Sequence, residues 1–225
     1  MYYSESVKVW RTKNKEEALR DFFIKFIYCS NKIENDEVRL VDVEAVVNEE
    51  KINYFSESER NIIEIKKHIE LYKDIIKLDG NIKEKLDMDI IKRVYFCFTG
   101  NKLAKDIYKS IDELVQDINN MQINEETALD VVSYFCCYFE EIINCEDGRV
   151  VRILINYILI ANNLAPINIF YYNKEEYYLA LESFYKNKKI DRMRKFLDDQ
   201  AYKTWIKNYN LKLKSLKGFL KGCSN

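Results

Sequence analysis

Apolar residues recur every three or four positions along most of this chain, and that spacing predicts helices. Residues 16–33 read as a helix whose apolar face is Leu19, Phe22, Phe23, Phe26 and Ile27. Residues 40–47 read as a short helix after a polar turn. Ser56 followed by Glu59 is a capping-box signature for a helix running to about residue 78, where Asp79-Gly80-Asn81 breaks it. Residues 87–97 and 105–119 carry two more periodic stretches, with Thr99-Gly100-Asn101 between them. Asn124 suits the cap of a helix over 125–143. A polar loop, 144–148, then hands over to an apolar helix over 149–162 that carries Ile153, Leu154, Tyr157 and Ile158. Helices over 174–186 and 191–205 follow. The last periodic stretch, 209–220, is Lys-rich and reads as the solvated face of a packed terminal helix.

Composition supports this all-α reading. One proline and five glycines in 225 residues leave few turn-formers. Basic and acidic residues balance at 36 and 37, which argues against a broad nucleic-acid surface. Six cysteines match no zinc spacing, and His68 is the only histidine. Most cysteines sit in apolar stretches as small hydrophobes, as expected of a reduced, cytoplasmic protein. No basic-then-apolar leader opens the sequence. The longest apolar run, 150–164, is broken by Arg152 and several Asn, short of the roughly 20 residues that span a bilayer. Tyr171, Tyr172, Tyr177 and Tyr178 cluster late in the chain and read as packing between the last helices.

The candidate chemistry lies at the loop before residue 149. Gly148 precedes Arg149 and Arg152, which stand on neighbouring ridges of a first helical turn. Free backbone N–H groups at a helix start suit a phosphate, and two converging guanidinium groups would add to it.

These residues resemble the end of the core motif of the Fic family, His-Pro-Phe-x-(Asp/Glu)-Gly-Asn-Gly-Arg-x-x-Arg. A second resemblance lies far upstream. Ser30, Glu34 and Asn35 are similar to the family's inhibitory-helix motif, (Ser/Thr)-x-x-x-Glu-(Gly/Asn), and the short LVDVEAVV segment follows it as in the family. Residues 175–197 resemble the family's C-terminal helical pair. The resemblance implies an all-α, Fic-like helical bundle with at most a reduced β-hairpin flap around residues 99–102. It implies one domain over 1–225, with an inhibitory-type helix at 16–35, core-motif helices at 125–162 and C-terminal helices at 174–220. The family transfers AMP or related groups from nucleotides to protein hydroxyls. Its inhibitory Glu reaches the second motif arginine and blocks productive nucleotide binding. Carried over, Glu34 should lie within about 4 Å of Arg152, preferably in a two-pronged contact.

The departures from the motif bear on activity. Counting back from Arg149, Glu141 stands where the family has its catalytic His. An ordinary Glu, with a pKa of about 4.3, is a weaker base than imidazole. Cys145 stands at the Mg²⁺-binding carboxylate, and a thiol is a poor ligand for that ion. Glu146, one residue on, is the remaining metal-ligand candidate. Glu146 and Asp147 replace the Gly-Asn of the phosphate nest, where glycine lets backbone approach the phosphate. One like-charge contact at 4 Å costs about 1 kcal/mol in water and about 4 kcal/mol at an effective dielectric of 20. The leading expectation is therefore a degenerate Fic protein, impaired or inactive in AMP transfer, acting by binding a protein partner. The alternative is an active adenylyltransferase using ATP and Mg²⁺, with Glu141 as base, Glu146 on the metal, and Gly148, Arg149, Arg152 and Asp147 at the nucleotide. Fold-level likeness with a different ligand is the third reading. No nucleic acid and no membrane enter any of the three.

Overall fold

In the computed structural model the described residues are 2–48, 59–76, 85–144 and 147–207. They form ten α-helices: α1 Tyr3–Thr12, α2 Lys15–Glu34, α3 Leu40–Val47, α4 Glu59–Ile76, α5 Met88–Thr99, α6 Tyr108–Asn120, α7 Ala128–Ile143, α8 Arg149–Ala161, α9 Lys174–Asn187 and α10 Asp191–Trp205. Single 3₁₀ turns, Lys105–Ile107 and Tyr171–Asn173, lead into α6 and α9. The described residues contain no strand and no helix long and apolar enough to cross a membrane. The expected cap at Ser56, the break at Asp79-Gly80-Asn81 and the 209–220 stretch lie outside them.

Helix α8 is the axis of the molecule. Every residue from Val150 to Ile160 is buried, so the helix is enclosed on all sides. Its apolar side chains join those of α2, α5 and α7 in one core. Two polar residues of α8, Arg152 and Asn156, lie within that core, and both are tied down. Asn156 donates to the carbonyls of Arg152 at 3.1 Å and Ile167 at 2.9 Å, and it accepts from Ile167 N–H at 2.7 Å. It thereby clasps the irregular 162–170 segment to α8, satisfying backbone groups that no regular element pairs. The second polar residue is Arg152, the deeper of the two motif arginines.

Local caps place the helix ends. Asn14 and Asp87 accept from the N–H groups of Glu17 and Ile90 at the starts of α2 and α5. Asn124 accepts from the N–H groups of Glu126 and Thr127, as a cap should. A hydrogen-bonded turn over 124–127 delays the regular helix to Ala128. At the other end of α7, Asn144 adopts a left-handed conformation (φ 44°) and turns the chain sharply toward Gly148.

Two features differ from the sequence reading. Residues 3–12 form a helix that was not anticipated. Tyr3, Val7 and Trp10 bury one face of α1 against α10. Tyr3 donates to the Ala165 carbonyl at 2.9 Å, and Trp10 meets Trp205 edge-to-face at 5.2 Å. The second difference is the expected flap. Gly100 (φ 70°) closes α5, its N–H donating to Phe96 O at 2.9 Å, and Thr99 Oγ1 accepts from Asn101 N–H at 3.1 Å. Residues 99–102 therefore make a tight helix-ending turn, with no strand pairing there.

Candidate functional site

The N-terminus of α8 meets the C-terminal half of α2, and this junction brings the two distant motifs together. Arg152 is 1% exposed on its side chain. Its Nε donates to Ser30 Oγ at 3.1 Å, and Nη2 donates to Ser30 O at 2.9 Å and Glu34 Oε1 at 2.7 Å. The carboxylate thus lies well inside the expected ion-pair distance. The contact is one-pronged rather than forked, because Ser30 takes Nε and shares Nη2. The last nitrogen, Nη1, is buried with no hydrogen-bond partner among the described residues. Gly148 makes this geometry possible. A Cβ on it would stand 2.5 Å from Arg152 Nη1 and 3.3 Å from Glu34 Oε1. The arginine folds back beneath the start of its own helix, and only a residue without a side chain leaves room. Asn35, which ends α2, donates to Asn61 Oδ1 at 2.9 Å on α4 and accepts from Glu37 N–H.

Arg149 is held differently. Asp147 grips it as a fork: Nε to Oδ1 at 2.9 Å and Nη2 to Oδ2 at 2.6 Å, while the Arg149 N–H donates to Oδ1 at 3.0 Å. Nη1 donates to Asn31 Oδ1 at 2.9 Å and Glu64 Oε2 at 3.2 Å. The guanidinium lies 5.0 Å from the Phe98 ring centre. In the sequence, Asp147 reads as a charge that would repel phosphate. In the folded chain it takes up the Arg149 guanidinium and the Arg149 backbone N–H.

Asn31 extends this network inward to His68. Its Oδ1 faces Arg149, so its amide nitrogen donates to Ile27 O at 2.7 Å and to His68 Nδ1 at 2.9 Å. That assigns the proton of the neutral ring to Nε2. Burial, reinforced by Arg149 and Arg152, holds the His68 pKa well below its usual value. The sole histidine is thus a neutral packing group.

Two adjacent glutamates on the last turn of α7 diverge. Glu141, the candidate base of the sequence reading, is exposed and pairs with Lys188 just beyond α9. Glu140 points inward and is 8% exposed. Burial pushes its pKa up to about 7, against the pull of Arg152. Asn31, Glu64, Phe98 and Glu140 are all site residues that motif reading missed. Glu140 carried one available signal: it falls on the same face as Cys136, one turn back on an apolar helix. Glu146, the candidate metal ligand, and Cys145 lie outside the described residues. Among the described residues, no cluster of His, Cys, Asp and Glu could hold a metal. A cleft of about 550 Å³ opens beside Arg149, bounded by Glu64, Lys67, Phe96, Phe98 and the turn at Gly100. Of the two arginines, Arg149 lines this cleft, while Arg152 is buried away from it.

The all-helical fold, with the buried helix α8 crossed at its start by the end of α2, has counterparts among solved structures of Fic domain proteins. Three solved structures share it. A Fic domain-containing signaling protein from Bacteroides thetaiotaomicron is 16% identical, with a TM-score of 0.69 over 92% of this chain and 94% of that one. Fic-1 from C. elegans is 13% identical, with a TM-score of 0.71 over 91% of this chain and 70% of that one. A Fic family protein from Desulfovibrio desulfuricans is 17% identical, with a TM-score of 0.67 over 93% and 74%. At such identities the likeness establishes the fold. No protein-family model matches the sequence, and no curated protein matches it either.

Proposed function

We propose that this chain is a degenerate Fic-family protein, impaired or inactive in AMP transfer, that acts through binding a protein partner. The observation that carries this reading is the prior commitment of both motif arginines. Arg152 is enclosed by Ser30 and Glu34, and Arg149 is enclosed by Asp147, Asn31 and Glu64. A nucleotide would have to displace three carboxylates to reach them, each held by a charge-assisted contact. The group at the motif-His position is a carboxylate turned to Lys188 rather than an imidazole. On this reading the Glu34–Arg152 pair is a structural staple.

The domain spans 1–225, with the inhibitory-type helix ending at Asn35 as its staple. Free Cys29, Cys97, Cys136 and Cys137 suit a reducing cytoplasm. The test is incubation with labelled ATP and Mg²⁺ or Mn²⁺, together with a calorimetric ATP titration with and without Mg²⁺. Little labelling and weak or absent binding are expected. Robust labelling that disappears in Glu141→Ala would overturn the reading in favour of an active transferase.

A further inference from the structure

Helix α9 is apolar on two faces. Tyr177, Ala180, Leu181 and Phe184 form the inner face, buried where α9 packs on α7 and α10. On the outer face Tyr178, Leu179 and Tyr185 are 47%, 43% and 45% exposed. At 3.6 residues per turn these three share a stripe about 120° wide with Glu175, Glu182 and Lys186. Tyr178 and Tyr185 stand seven positions apart, on one line and about 10.5 Å from each other along the axis. Single exposed apolar residues are ordinary on any surface. Three on one stripe, with a seven-residue step, match the seam along which one helix packs on another. Charge is also segregated along this helix. Lys174 pairs with Asp36, Lys186 with Glu182, and Lys188 with Glu141. That leaves Glu175 at the start of α9, and Lys189 and Arg192 just past its end. All three are exposed and make no ion pair with a described residue.

We propose that the outer face of α9 is a self-association surface, on which a second copy of this chain packs antiparallel about a two-fold axis near Glu182. A two-fold interface requires a patch that complements itself, and this one does. Antiparallel pairing sets Glu175 of each copy beside Lys189 and Arg192 of the other, so both ends of the seam join opposite charges. It sets Leu179 of one copy against Tyr185 of the other. It also brings the Lys186 ammonium of one copy over the Tyr178 ring of the other, a favourable cation–π arrangement. The two Glu182 carboxylates approach each other near the axis, but each is already neutralised by Lys186 of its own helix. Parallel pairing would instead put like charges together at both ends. The helix has 14 residues, about 21 Å, so the contact is small. An interface of that size gives a weak, reversible dimer, with a dissociation constant on the order of 10 µM. This inference goes beyond the proposed function and stands whether or not the chain binds nucleotide.

The test is a charge swap read by sedimentation velocity on the full chain, over protein concentrations from about 2 to 500 µM. The native chain should pass from monomer to dimer across this range. One variant carries Glu175→Lys, and a second carries Lys189→Glu with Arg192→Glu. Each alone places like charges at both ends of its own seam, and its self-association should weaken by about tenfold or more. Mixed one to one, the two variants regain opposite charges at both ends, and a heterodimer of native strength should form. The substituted positions are exposed, and circular dichroism checks that each variant is folded. A native chain that stays monomeric throughout overturns the proposal. So does a dimer indifferent to the separate swaps, since it would use another face. A mixture that associates no better than its components overturns it equally, because the charges would then not meet across a two-fold axis.

Discussion

Arg149 and Arg152 stand one turn apart on the same helix, yet they are held by opposite means. Arg149 is gripped by a neighbour two positions away, at the rim of an open cleft, with 12% of its side chain exposed. Arg152 is gripped across 118 positions by the end of α2, with 1% exposed. The difference decides what each can do. The rim arginine sits where water and ligands reach it, so its ion pairs are screened and exchangeable. The interior arginine is part of the core, and its partners hold α2 onto α8. One lines a cleft; the other ties two helices together.

The largest effect should come from deleting the interior guanidinium. Arg152→Ala strands the Glu34 carboxylate and leaves a cavity under Gly148, each a recognised route to severe loss. We expect a loss of about 3–5 kcal/mol in urea unfolding. Arg149→Ala, at the rim, should lose about 1–2 kcal/mol. Equal losses for the two would break the distinction between staple and rim.

Next comes the response to pH, which should trace to the interior as well. The pKa of Glu140 is raised from 4.5 to about 7 by burial. Between those values the unfolded chain has released this proton while the folded chain retains it. The folded state binds more protons there, so stability falls as pH rises from about 4.5 to 7 and then levels off. The contribution is at most about 3 kcal/mol, at 1.36 kcal/mol per pH unit. Denaturant midpoints measured from pH 5 to 8 should show this fall, and Glu140→Gln should remove it. A pH profile unchanged by Glu140→Gln would show that the carboxyl is solvated in solution.

Much of this comparison was legible before any fold was known, but unevenly. The periodicity of α2, α7 and α8 marked the helices that build the site, because each must bury a stripe. The pairing of Glu34 with Arg152 was readable only through resemblance, since nothing local links positions so far apart. Asp147 was seen as a charge, yet its fork on Arg149 depends on local side-chain geometry, which composition does not specify. Glu64 and Asn31 gave no motif signal at all. They matter because helix packing carries α2 and α4 to the same guanidinium. Helix α1 did carry a signal: Tyr3, Val7 and Trp10 share a helical face, although the segment is short and flanked by charge. Whether a reduced flap forms was not legible, because Thr99-Gly100-Asn101 serves a helix end and a hairpin turn equally well in sequence.

A smaller effect should come from the glycine between the two arginines. Gly148 has an ordinary helical backbone (φ −65°), so Gly148→Ala introduces no backbone strain. The added methyl would instead press on Arg152 Nη1. Overpacking of this kind costs about 1–3 kcal/mol. The loss should shrink in Arg152→Met, whose side chain ends short of the clash. If Gly148→Ala is as costly with Met as with Arg at position 152, the glycine is needed for another reason.

The smallest effect on stability, and the most telling for the site, should follow from Asp147→Asn. The side chain keeps its shape and can still accept from the Arg149 N–H, but its negative charge is gone. Because the Asp147–Arg149 pair lies at the rim, the stability change should stay within about 1 kcal/mol. The electrostatic change at the cleft is larger in consequence. Among the described residues Arg149 would keep Glu64 as its one carboxylate partner, at the longer distance of 3.2 Å and with that side chain 39% exposed. An incoming phosphate would then compete with a weaker ion pair and meet one fewer like charge. Binding of inorganic pyrophosphate, followed by ³¹P NMR line broadening, should strengthen by about tenfold, equivalent to about 1.4 kcal/mol. On the proposed function AMP transfer should not appear with it, since the substitution supplies neither an imidazole nor a metal ligand. If pyrophosphate binds Asp147→Asn no better than the native chain, the carboxylate is not what closes the rim, and the closure must be assigned to Glu64 and the walls of the cleft.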